Sequence, residues 1–146
     1  MTNKRISYIR YPLIILSIVL CISGIRWLIS SEPWILDQVA NEERLQMTFE
    51  DLFLIDGNKS LILYLTQIYR FLGLYVLAIG LLLLSFTSKY FIKINLFRKR
   101  YLIVLGLLLI SNLVLAYVWI PSSHFIYLMW GAISLYFISL YNHFKI

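Results

Sequence analysis

The chain has 146 residues, of which 61% are hydrophobic and only 14% charged, with a formal net charge of +6. Soluble domains carry roughly 45–50% apolar residues, and a chain of this size has too little interior to hide the excess, so a soluble globular protein is excluded. The basic balance does not indicate nucleic acid, because the basic residues flank apolar runs, where they act as orientation signals.

The first apolar run extends from Tyr11 to Ser30 and is broken only by Arg26. It follows Lys4, Arg5 and Arg10, but it is too long for a signal peptide and no Ala-x-Ala site follows, so a retained first helix is expected. Cys21, the only cysteine, has no partner for an internal disulfide and reads as a small helix-packing residue.

The segment 31–60 holds all seven acidic residues, Glu32 to Asp56, offset only by Arg44 and Lys59. Trp34, Ile35, Leu36 and Val39 recur with helical spacing after Glu32-Pro33, and Leu45, Phe49, Leu52 and Phe53 do the same. The spacing predicts one or two short amphipathic helices on the outer membrane surface. They serve either as a cap over the bundle or as a lid or partner-binding surface.

Three further apolar runs follow, at Leu61–Thr87, Tyr101–Ile120 and Phe125 to about Tyr141. Each is long enough to cross roughly 30 Å of hydrocarbon at about 1.5 Å per residue. Their length and continuity exclude the strands of a membrane barrel. Pro121, Ser122 and Ser123 supply a stop and a new N-cap, making the last two helices an antiparallel hairpin.

The expected fold is all-α, a single polytopic membrane domain of four transmembrane helices at about 11–30, 61–87, 101–120 and 124–142. A 31–60 outer segment and an 88–100 cytoplasmic loop connect them. Orientation follows from the flanks. Lys4, Arg5, Arg10, Lys89, Lys93, Arg98, Lys99, Arg100 and Lys145 all fall on one side, which is therefore cytoplasmic, as are both termini. The expected location is the inner, or cytoplasmic, membrane.

Ionisable groups within spans are site hypotheses. Arg70 lies deep in the second span. At about 100° per residue it shares a stripe with Thr66, Gly73, Leu77 and Gly80, which predicts that it points into the bundle. Asn112 lies at a similar depth in the third span, while Arg26, His124 and Tyr127 lie nearer the outer surface. If these faces converge, the five residues form an outward-opening polar pocket with two fixed positive charges. No span carries an acid, so neutralisation must come from the acidic loop, from snorkelling, or from a bound anion or lipid headgroup.

Several chemistries lack their residues. There is no membrane-embedded carboxylate for proton-coupled drug export and no Cys-x-x-Cys for quinone-linked disulfide formation. His124 and His143 lie at opposite ends of the last helix, so no metal or haem pair is expected. No phosphate loop, nucleophile elbow or His-x-Asn pattern of the glutathione-handling membrane enzymes is present, and no cofactor is expected.

The stretch from Arg70 through Phe71, Leu72 and Gly73 to Gly80 and Leu81 resembles the second helix of small four-helix bacterial membrane proteins related to DoxX. That group in turn resembles the eukaryotic ergosterol-pathway scaffold protein. The single outer loop and terminal hairpin match the same layout. The resemblance implies a non-enzymatic scaffold or accessory role. The expected partners are membrane lipid, another membrane protein or a second copy of the chain, and an anionic small molecule or headgroup. The alternative is a small transporter or lipid-handling protein using the arginine pocket.

Overall fold

The computed structural model describes residues 2–146, which form helices and turns without a strand. In chain order these are α1 (Thr2–Ile29), a 3₁₀ turn (Pro33–Asp37), α2 (Gln38–Leu45), α3 (Phe49–Leu54), α4 (Leu61–Phe86), α5 (Lys89–Lys93), α6 (Asn95–Trp119) and α7 (Phe125–Phe144). Four of them, α1 from Lys4, α4, α6 and α7, are long and apolar enough to cross a membrane. Large apolar side chains on these helices face outward, among them Leu63, Phe71, Val104 and Leu107, each more than half exposed. Such a surface is stable against lipid and not against water. The chain is accordingly all-helical, with a surface that suits lipid.

Two helices extend beyond their apolar runs. α1 begins at Thr2, not near Tyr11, and α6 begins at Asn95, not Tyr101. Hydropathy stops at the first charges, whereas the helical backbone continues through them. The 26 residues of α1 from Lys4 to Ile29 span about 39 Å at 1.5 Å per residue, longer than a hydrocarbon layer of roughly 30 Å. Pro12 lies inside α1 and has no N–H to give the Tyr8 carbonyl.

Helix α1 is the hub. Ile6, Ile9, Leu13 and Leu16 are buried with Ile92 of α5 and Tyr101, Leu102 and Leu105 of α6, forming the core at the basic end. Farther along, α1 crosses α4 at backbone contact. A Cβ on Gly24 would lie 2.5 Å from the Leu77 nitrogen, and one on Gly80 would lie 2.8 Å from the Cys21 sulfur. Only small residues allow helices so close together, and the gain is van der Waals packing that lipid cannot supply. Against α7, the Ser139 hydroxyl donates to the Ile9 carbonyl at 3.0 Å. The Tyr101 hydroxyl ties α6 to α4 by donating to the Leu83 carbonyl at 3.2 Å.

Five polar side chains of the long helices are satisfied locally. Ser17, Thr66, Ser85, Asn112 and Ser134 each donate to the carbonyl four residues earlier, at 2.7–2.9 Å. Each thus finds its acceptor on its own helix.

Between α1 and α4 the outer segment folds onto the bundle's end. Trp34 is buried and packs against Phe49 and Phe53, with ring centroids 6.2 and 5.4 Å away. The Asn41 amide donates to the Trp34 carbonyl at 3.1 Å, and the Thr48 hydroxyl caps α3 by accepting from the Asp51 N–H. The Arg44 guanidinium lies 5.4 Å from the Trp119 ring, a cation–π contact between cap and α6.

Candidate functional site: two polar clusters at opposite ends of the bundle

The five side chains singled out from the sequence do not converge. Arg26, Arg70, Asn112, His124 and Tyr127 are all exposed, Tyr127 by 80%. Arg70 was expected to face the bundle interior and instead lies on its flank. The reason is angular: Thr66, Gly73 and Gly80 sit about 40°, 60° and 80° to the same side of Arg70. Helix α1 seats against that glycine side, where Thr66, Gly73 and Gly80 are buried, and Arg70 is left at the stripe's edge. Asn112 spends its amide on the Leu108 carbonyl at 2.7 Å. Arg26 borders a space of about 20 Å³ with Ser23, Trp27, Leu36, Phe125 and Leu128, room for a water molecule and not for a solute. Among the described residues, only His124 of the five meets a polar side chain on another element.

That contact belongs to a cluster at the end of the bundle covered by the 31–60 segment. Asp37 ends the 3₁₀ turn and is 9% exposed. Its Oδ2 accepts from the buried Ser123 hydroxyl at 2.7 Å, and its Oδ1 lies 3.2 Å from His124 Nδ1. Ser123 Oγ in turn accepts from the Phe125 N–H at 3.2 Å, capping α7. The cluster holds a serine, a histidine and an aspartate, yet the serine proton goes to the carboxylate and not to the imidazole. A nucleophile relay requires the reverse, so this arrangement fastens and does not catalyse. One carboxylate holds the outer segment to the α6–α7 turn.

A second cluster lies at the basic end, centred on Arg98, which is 4% exposed. Its Nε–H donates to His143 Nδ1 at 2.8 Å and its Nη2 to Asn95 Oδ1 at 2.9 Å. Nη1 donates to the carbonyls of Ile92 and Lys93, at 2.9 and 3.5 Å. One side chain thereby joins the α5–α6 turn to the end of α7. Beside it opens a cavity of about 680 Å³, lined by Ile6, Lys93, Asn95, Arg98, His143, Phe144 and Ile146. Nearby, the Arg10 Nε–H donates to the Thr87 carbonyl at 2.7 Å, and Arg5 donates to the Lys145 carbonyl.

The sequence reading counted Arg98 as one orientation charge among nine and placed His143 only at a helix end. The available signal was Asn95 and Arg98 three apart at a helix start, a spacing that brings side chains together. Asp37 was likewise counted within an acidic loop, although it lies three residues after a tryptophan that must be buried. No group of three or more His, Cys, Asp or Glu side chains able to hold a metal occurs among the described residues. Comparison with protein-family models, with curated proteins and with solved structures gives no significant match.

Proposed function

We propose that this chain is a non-enzymatic accessory protein of the cytoplasmic membrane, with both termini in the cytoplasm, that docks a partner membrane protein through its outer cap. One observation carries the reading: the outer segment is fastened to the bundle while its charged surface is turned away from it. Asp37 and Trp34 are spent on the fastening. Glu32, Glu43, Glu50, Asp51 and Asp56 remain exposed, next to Val39 and Leu54, which are 71% and 82% exposed. A rigid surface of mixed acidic and apolar character suits a partner surface that is basic with apolar anchors. A scaffold role is also what the likeness of the Arg70–Gly80 stretch to DoxX-related proteins implies.

The test is cross-linking in native membranes followed by purification in mild detergent. A single stoichiometric membrane-protein partner is expected, and it should be lost from a Glu50→Lys, Asp51→Lys double variant that melts like the parent. Recovery of the chain alone from both would overturn the reading. Reporter fusions near Asn41 should read outside, and those at 98–100 inside.

A further inference from the structure

We infer that the cavity beside Arg98 is a binding site for a phosphate-bearing anion, either the headgroup of an anionic phospholipid or a free phosphate. The argument is an inventory of donors and acceptors. Arginine has five N–H donors and no acceptor. It therefore fixes the orientation of its neighbours, since only their acceptor atoms face it. Asn95 must turn its oxygen to Arg98, which leaves the amide NH₂ as its remaining polar group. His143 must offer an unprotonated Nδ1, so its neutral ring carries the proton on Nε2. Arg98 itself uses four of its five N–H groups, on His143, Asn95, Ile92 and Lys93, and keeps one on Nη2. Lys93 adds an ammonium with no hydrogen-bonding partner among the described residues.

Every polar side chain that lines the cavity thus retains donors and has its acceptor already spent. No Asp or Glu side chain lines it, because all seven acids lie between positions 32 and 56. α6 also starts here, at Asn95, with no side chain capping its first N–H groups, which adds backbone donors. α7 ends here at Phe144, so the two helix dipoles oppose one another and the positive charge comes from Arg98 and Lys93. Side chains that offer only donors are matched by an oxyanion with several acceptor oxygens. The apolar remainder of the lining, Ile6, Phe144 and Ile146, fits the glycerol and upper acyl region of a lipid. The inference holds whichever side of the membrane the basic end faces, and it does not depend on the outer cap having a partner.

The experiment uses the full chain in nanodiscs of phosphatidylcholine with or without phosphatidylglycerol. Native mass spectrometry reads retained lipid, and calorimetry reads inorganic phosphate. Retention of phosphatidylglycerol over phosphatidylcholine is expected. Retention that survives millimolar phosphate assigns a lipid, and displacement by phosphate assigns the free anion. The deciding variant is Asn95→Asp, which keeps the acceptor for Arg98, and so the fold, while placing a negative charge in the cavity. It should melt no lower than the parent and lose about tenfold in anion retention, the scale of one charge-assisted hydrogen bond. Lys93→Gln should lose a similar factor. Lys99→Gln removes an equal charge from outside the lining and should retain the anion. Equal losses from Lys99→Gln and Asn95→Asp, or no preference for phosphatidylglycerol and no phosphate binding, would overturn the assignment.

Discussion

The two ends of this bundle are closed by opposite chemistry. At the outer end a single carboxylate, Asp37, gathers donors from the α6–α7 turn. At the basic end a single guanidinium, Arg98, gathers acceptors from the α5–α6 turn and α7. Neither group has an oppositely charged Lys, Arg, Asp or Glu beside it; each is surrounded by neutral partners, apart from the half-exposed His124. The basic cluster also borders a cavity of about 680 Å³, which Arg98, Asn95 and His143 help to line. The two groups differ in the number of partners they can hold. A carboxylate is satisfied by two or three donors and closes on them, while a five-donor fork holds a turn and a helix apart as it joins them.

The contrast can be broken most severely at Arg98. Arg98→Ala would leave two backbone carbonyls, the Asn95 oxygen and His143 Nδ1 without their donor. A loss of roughly 3 kcal/mol is expected, since unpaired buried groups cost on the order of 1–3 kcal/mol each when water cannot reach them. Thermal unfolding in detergent should register it, together with faster proteolysis between Lys89 and Arg98. An unchanged melt would show that the guanidinium is not what joins α5, α6 and α7.

Asp37→Ala is expected to act more weakly, by about 2 kcal/mol, through the buried Ser123 hydroxyl left without an acceptor. Its effect should stay local: proteolysis within 38–58 accelerates while the four long helices keep their circular dichroism. Global unfolding would show the outer cap to be integral to the bundle and not a fastened accessory. The smallest effect belongs to His124→Ala. The imidazole is about half exposed, so its pairing with Asp37 is screened by water and is worth roughly 0.5 kcal/mol. A loss as large as that of Asp37→Ala would move the weight of the latch from Ser123 to His124.

Much of the long-range plan was legible because lipid imposes it. Continuous apolar runs of this length predict long apolar helices, which the four are, and glycines seven apart at Gly73 and Gly80 predict a close crossing, which α1 makes with Cys21 and Gly24 at the contact. Ser123 was legible as a helix-starting residue, and it does accept from the first turn of α7. What escaped was the direction of individual polar side chains. A helical wheel resolves a face only to some tens of degrees, and Arg70 fell on the wrong side of that margin. Counting charges in a flank treats Arg98 and Lys99 as equals, although one is 4% exposed and the other lies open. Burial of a charged residue depends on which acceptors the turn brings to it. The carbonyls of Ile92 and Lys93 carry no sequence signature at all.

The bonds that Ser17, Thr66, Ser85, Asn112 and Ser134 make to their own helices bear on biogenesis. A span whose hydroxyls and amides are internally engaged enters the bilayer without waiting for a neighbour to accept its protons. Here α1, which packs against the 3₁₀ turn, α4, α5 and α7, has a polar group in its buried half already quenched at Ser17. Its packing against α4 is then a matter of shape, set by the glycine seam. Of the serine and threonine hydroxyls in the spans, Ser139 has its shorter bond to another helix, at the Ile9 carbonyl. That contact sets the register of α7 against α1, as the Tyr101 hydroxyl sets that of α6 against α4.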